Sequence, residues 1–124
     1  MQHNGQAVEL RLDNVGQSRL FILRQQAFDA LAPGLQLVVV EGVYSMDGDL
    51  ADLPNVVKLC RQYGARLLVD EAHSAFLFGE HGRGVVEHFG LEGQVDIQMG
   101  TFSKSLGGIG GYIATNAALC TYLK

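Results

Sequence analysis

Lys104 stands in the run Gly100-Thr101-Phe102-Ser103-Lys104-Ser105-Leu106-Gly107-Gly108, with Gly110-Gly111 just behind it. A primary amine among hydroxyls and glycines, after an apolar segment, has two readings. One is a solvated loop lysine. The other is an amine that forms a Schiff base with a carbonyl cofactor, its nucleophilicity raised by a desolvated, electropositive setting. The hydroxyls of Thr101 and Ser103, with glycines that let the backbone come close, would suit a phosphate at such a site. A second run, Val69-Asp70-Glu71-Ala72-His73-Ser74, sets a carboxylate at the end of an apolar stretch and an imidazole three residues later. Alone it fits a loop cap or a metal ligand as well as a catalytic group.

The letters of Asp70-Glu71-Ala72-His73 also match a box found in nucleic-acid helicases. An ATPase motor would need an upstream G-x-x-x-x-G-K-[ST] loop to cradle phosphates, and none exists. Gly100 to Ser105 lies downstream and has Ser103 where a glycine is required. Asp47, Asp49 and Asp52 are spaced somewhat like calcium ligands but lack the glycine position and terminal glutamate of an EF-hand. They read as turn and cap residues, and no metal site is expected. Cys60 and Cys120 stand far apart and outside any C-x-x-C spacing, so both read as reduced, packed thiols rather than a disulfide or zinc framework.

The elements that must position these groups follow from periodicity. Leu20, Leu23, Ala27 and Leu31 recur at helical spacing over 18 to 31, and Pro33-Gly34 supplies a stop. Leu37-Val38-Val39-Val40 reads as a strand buried on both faces. Asp52 with Pro54 starts a helix near 53 to 63, which Lys58, Arg61 and Gly64 finish. Arg66 to Asp70 is the next strand, so the three elements form a βαβ unit with parallel strands. Gly-rich loop follows, with a short helix around Val85 to Phe89, then a strand over Val95 to Gly100 and another over Gly111 to Thr115. Only about ten residues join these last two, and a parallel crossover takes about a dozen or more. The fourth strand should therefore run antiparallel to the third. The fold class is α/β, a mostly parallel sheet with one antiparallel strand. Ligands in such sheets sit beyond the carboxyl ends of the parallel strands, the ends that carry Glu41 to Ser45, Asp70 to Ser74 and Gly100 to Ser105.

The chain has 124 residues, 48% apolar, and a net charge of −4, so it reads as one folded unit without a polyanion-binding surface. Nucleic acid is not an expected partner. The apolar runs are far shorter than the roughly 20 residues of a membrane helix, so no transmembrane segment is expected. Met1-Gln2-His3-Asn4-Gly5 lacks the basic and apolar regions of a signal peptide, and a cytoplasmic location is the expectation.

Taken in order, Glu41-Gly42-Val43-Tyr44-Ser45-Met46-Asp47-Gly48-Asp49, Asp70-Glu71-Ala72-His73-Ser74, Gly82-Arg83-Gly84, Gly100-Thr101-Phe102-Ser103-Lys104-Ser105 and Gly110-Gly111-Tyr112 resemble the alpha-oxoamine synthase family. The resemblance covers about residues 36 to 115. That family belongs to the aspartate-aminotransferase fold group of pyridoxal-phosphate enzymes. The form Thr-Phe-Ser-Lys-Ser is similar to its serine palmitoyltransferase-like branch. The resemblance implies that Lys104 holds pyridoxal 5'-phosphate as a Schiff base and that Asp70 pairs with the pyridine nitrogen. It further implies that His73 and Ser45 lie on the phenolic-oxygen side, and that Thr101 and Ser103 meet the phosphate. His73 as a loop histidine, Ser45 as a turn residue and Ser103 as a packing residue stay open. Glu71 is assigned to structure.

The activity so implied is a decarboxylating condensation of an amino acid with an acyl-CoA thioester to an amino ketone, in a homodimer with shared active sites. Another aminotransferase-fold reaction is the rival within enzymes, and a noncatalytic remnant or interaction module is the rival outside them. Members of the family are several times longer than this chain. Residues 1 to 35 hold no counterpart of the family's ring-stacking aromatic or upstream phosphate loop, and the arginine for the substrate carboxylate is absent downstream. Residues 1 to 124 are accordingly expected to be part of a large domain, inactive by itself.

Overall fold

In this computed structural model, residues 36–124 are described. The helix expected over 18 to 31 lies outside them. Four strands form one sheet in the order β1-β2-β3-β4: β1 Leu37–Glu41, β2 Arg66–Asp70, β3 Ile97–Thr101 and β4 Gly111–Thr115. β1 and β3 each pair parallel with β2, whereas β4 returns antiparallel to β3. The mixed sheet expected from connection lengths is the sheet found.

α1, Leu53–Tyr63, crosses between β1 and β2. Pro54 sits in its first turn, where a missing N–H leaves nothing unpaired. Gly64 ends it in a left-handed conformation at φ 67°, and Ala65 N–H returns to the Cys60 carbonyl at 2.8 Å. Asp52 occupies the N-cap position as expected, yet its side chain makes no capping bond; it accepts instead from Asn55 Nδ2 at 2.7 Å. The inner face of α1 buries Leu53, Val56, Val57, Leu59 and Cys60 in one cluster with Val38, Val40, Leu67 and Val69 of the sheet. Each such large side chain withdrawn from water contributes roughly 1.5–3 kcal/mol. The short helix α2, Val85–His88, joins the cluster through Val85 and Val86. α3, Ala117–Tyr122, follows β4, with Asn116 Oδ1 accepting the Leu119 N–H.

Two expectations are corrected. β1 and β2 are not equally buried on both faces: Val38, Val40, Leu67 and Val69 are buried while Val39 and Leu68 are half-buried. Both α1 and α2 cluster with the first set, which leaves the second set the less covered among the described residues. β3 begins at Ile97 rather than Val95. The carboxylate of Asp96 accepts the Leu67 N–H at 2.9 Å and pairs with Arg66 at 2.8 Å, so the chain is tied to β2 by a side chain before regular pairing starts. Both cysteines are free thiols; Cys60 is buried and Cys120 half-buried. Burial, with the Asp96 charge adding to it, pushes the Cys60 thiol up to about 12, which makes it an inert core residue. No described helix is long and apolar enough to cross a membrane.

Candidate functional site

Asp70 closes β2, the central parallel strand, with Glu41 of β1 beside it on one side and Met99 of β3 on the other. Its Oδ1 accepts the Ala72 N–H at 2.8 Å, which holds the half-buried carboxylate against the turn that follows. His73 lies in that turn, partly exposed. Ser45 lies beyond β1 in an exposed turn, its N–H bonded to Glu41 Oε2 at 3.1 Å. Lys104 lies three residues beyond the end of β3, exposed, and without an ion pair among the described residues. All four thus stand at or beyond the carboxyl ends of three adjacent parallel strands. A surface depression of about 550 Å³ elsewhere, from Leu77 to Glu92, takes in none of them.

Thr101 and Ser103 are also brought together. Their hydroxyl oxygens are 2.8 Å apart, Thr101 Oγ1 lies 3.1 Å from the Gly110 carbonyl, and the Ser103 N–H donates to Thr101 Oγ1 at 3.2 Å. The loop is closed by Phe102 N–H to Gly110 O at 3.0 Å and Gly108 N–H to Phe102 O at 2.7 Å. Gly107, at φ 62°, donates to the Lys104 carbonyl at 3.1 Å. A paired hydroxyl set, a loop amine without an ion pair among the described residues and a fixed carboxylate on the neighbouring strand are groups of the chemical types that could serve pyridoxal phosphate as donor, nucleophile and acceptor. The residues present fit that group.

Glu71, one residue beyond Asp70, does different work. It is 1% exposed, and its Oε2 and Oε1 accept the Val85 and Val86 N–H groups at 2.8 and 3.0 Å. The Ser74 hydroxyl donates to the same carboxylate. The charge is therefore spent on the opening turn of α2, where N–H groups lack helical partners. A Cβ on Gly84 would overlap this carboxylate, and Gly84 sits at φ 102°. Further along, Glu87 accepts from His81 Nδ1 at 2.6 Å and from the His81 and Arg83 N–H groups at 3.1 and 3.0 Å. Burial opposes its charge, yet these donors together hold its carboxyl below the usual carboxylate range.

Two groups near the site stand in the resembling runs but receive no role from the sequence reading. The Tyr112 ring lies over Gly100, where any Cβ would overlap it, and stands 5.8 Å from the Phe102 ring. Burial, and then the charge of Glu71, raises its phenol. Ser105 Oγ donates to the Ala75 carbonyl at 3.0 Å and so joins the Lys104 loop to the loop after β2. A glycine opposite an aromatic residue is a weak signal for the first. No signal exists for the second, because a loop hydroxyl has no period.

Known proteins share this arrangement of elements. Residues 21–124 match the family model for aminotransferase class I and II. The chain is 54% identical over 89 residues to the 8-amino-7-oxononanoate synthase of Thermosipho melanesiensis, covering 72% of this chain and 23% of that one. It is 52% identical over 90 residues to the serine palmitoyltransferase of Bacteroides ovatus, covering 73% and 23%. Among solved structures, the serine palmitoyltransferase of S. paucimobilis with bound PLP-myriocin aldimine superposes with a TM-score of 0.74 at 46% identity, covering 79% of this chain and 26% of that one. The chain spans under a quarter of the length of the two curated relatives. It belongs to the aminotransferase class I and II family, and the relatives it matches are alpha-oxoamine synthases.

Proposed function

We propose that the complete protein carrying this chain is a pyridoxal-phosphate-dependent acyltransferase that condenses a small amino acid, serine foremost, with an acyl-CoA thioester. A carbon–carbon bond forms between the amino acid's α-carbon and the thioester carbonyl, the coenzyme A thiol leaves, carbon dioxide is lost, and an amino ketone results. The observation that carries this reading is the shared edge: Asp70 closes β2 and Lys104 follows β3, its parallel neighbour.

Bound pyridoxal phosphate supplies an electron sink for the charge left at the α-carbon. Lys104 Nζ would bind the cofactor and, once displaced by the amino acid, take the α-proton and return it. Asp70, its Oδ1 fixed by Ala72, would hold a proton at the ring nitrogen, since a carboxylate nearby favours the charged ring. Thr101 and Ser103 would bind the phosphate through the hydroxyls that now face each other. His73 and Ser45 would orient the ring from its phenolic-oxygen side. A homodimer in the cytoplasm completes the reading; sedimentation and cell fractionation of the complete protein check both.

The decisive assay supplies the complete, cofactor-loaded protein with serine, alanine or glycine and acyl-CoA thioesters, and follows thiol release and product mass. Expected is release with one small amino acid and a product lighter by carbon dioxide than a plain acyl adduct. Thiol release with none of them, or amino-group transfer to a keto acid instead, overturns it.

A further inference from the structure

The loop of Lys104 is exposed from Ser103 to Gly111 and is closed upon itself by backbone bonds within 102 to 110. Those bonds fix its shape but not its place relative to the neighbouring strand end. Ser105 makes the connection, through its hydroxyl to Ala75 O at 3.0 Å across 30 residues of sequence.

What Ser105 grips is well fixed. The peptide unit between Ala75 and Phe76 has both polar groups engaged: the carbonyl accepts from Ser105, and the Phe76 N–H donates to Gly82 O at 2.7 Å. Phe76 has φ 69°, the one positive value for a non-glycine among the described residues. Such a conformation persists only where the surroundings over-determine it. Ala75 N–H in turn donates to the Glu71 carbonyl at 2.8 Å, and Glu71 is the buried carboxylate beside Asp70. A short chain of bonds therefore runs from the Asp70 strand end through Glu71 and Ala75 to the residue next to Lys104.

We propose that Ser105 is a positioning residue: its hydroxyl bond to the Ala75 carbonyl sets the Lys104 amine at its distance from Asp70 and His73. The proposal rests on the cofactor reading of Lys104. A displacement of the amine on the order of 1 Å is enough to lower a reaction rate by about a hundredfold, so one hydrogen bond can matter to chemistry where the loop's own fold does not depend on it.

The test compares wild type, Ser105→Ala and Ser105→Thr in the complete polypeptide. In the cofactor-free protein, Ser105→Ala raises amide hydrogen exchange over 103 to 110 and leaves that of the β2 strand unchanged. On adding pyridoxal phosphate, Ser105→Ala forms the imine about tenfold more slowly and shifts the pH at which the visible imine band is lost. Ser105→Thr, which keeps a hydroxyl on Cβ, stays within about twofold of wild type, whereas a space-filling role alone would move melting temperature without moving the pH profile. A wild-type protein that forms the imine, with an alanine variant matching it in rate, pH profile and loop exchange, overturns this proposal alone. A wild-type protein that forms no imine overturns the cofactor reading and this proposal with it.

Discussion

The ends of β2 and β3 lie side by side, yet they are held by opposite means. Beyond β2 the chain folds inward: Glu71, Ser74 and Ala75 are buried, and the Glu71 carboxylate binds two backbone N–H groups and a hydroxyl. Beyond β3 the chain folds outward into exposed residues, with bonds mostly to itself. One end is a buried wall and the other an exposed arm; on the proposed function the first would carry the acceptor and the second the amine that moves a proton. Substitutions of the buried side chains beyond β2 should therefore appear in stability, and those of the exposed side chains beyond β3 in chemistry.

The largest stability loss is expected at Glu71. Glu71→Ala strands the Val85 and Val86 N–H groups in the core, and each buried unpaired donor costs about 1–3 kcal/mol. Thermal melting of the complete protein should register a loss of about 3 kcal/mol or more. Gly84→Ala should approach it by the converse route, because the added Cβ meets the same carboxylate at a positive φ. Wild-type melting in both variants would dissolve the contrast between wall and arm.

The base of the arm comes next. Gly111 opens β4 opposite Thr101, and a Cβ there would stand 2.6 Å from the Gly100 carbonyl oxygen. Backbone is less able to yield than a side-chain tip, so Gly111→Ala should lower stability by about 2 kcal/mol. Chemical denaturation of the variant checks it; an unchanged midpoint would mean that β4 moves freely with the arm.

The sheet was legible because its signals are local. Val38 to Val40 and Leu67 to Val69 are short apolar runs between turns, and the brevity of the 101 to 110 connection forced β4 to reverse. Coverage was less legible: an apolar Val39 or Leu68 looks the same whether a helix covers it or not. Adjacent Asp70 and Glu71 show the same limit. Neighbours on extended chain point apart, so one carboxylate must face the cleft edge and the other the core. Alternation alone does not say which; the family resemblance assigns Glu71 to structure, and what buries it, the start of α2 fourteen residues away, is visible only in the fold. Ser105 is the extreme case, since nothing before the fold relates it to Ala75.

Within the wall, Glu87 gives a local acid response. Its folded carboxyl lies below the ordinary range, so its contribution is complete above the ordinary carboxylate value and is lost as pH falls through the lowered one. Hydrogen exchange should show the His81 and Arg83 amides losing protection on the acid side, with the β2 strand unaffected. Glu87→Gln should flatten that dependence. Equal acid sensitivity in the variant would place the titrating group elsewhere.

The smallest stability effect belongs to the arm's defining residue. Lys104 is exposed and makes no ion pair among the described residues, and its carbonyl, not its side chain, receives the Gly107 N–H. Lys104→Ala removes no buried contact and no loop bond, so stability should stay within about 0.5 kcal/mol of wild type, as for other exposed positions. Covalent capture should vanish all the same: borohydride reduction after pyridoxal phosphate, followed by peptide mapping, should label Lys104 in the wild type and no residue in the variant. Lys58, on the exposed face of α1, is an internal control, because its amine lies on a helix rather than at a strand end. Label on Lys58 with Lys104 untouched would move the chemistry off the β3 end. A Lys104→Ala variant that melts far below wild type would make the arm structural, and the contrast between the two strand ends would no longer hold.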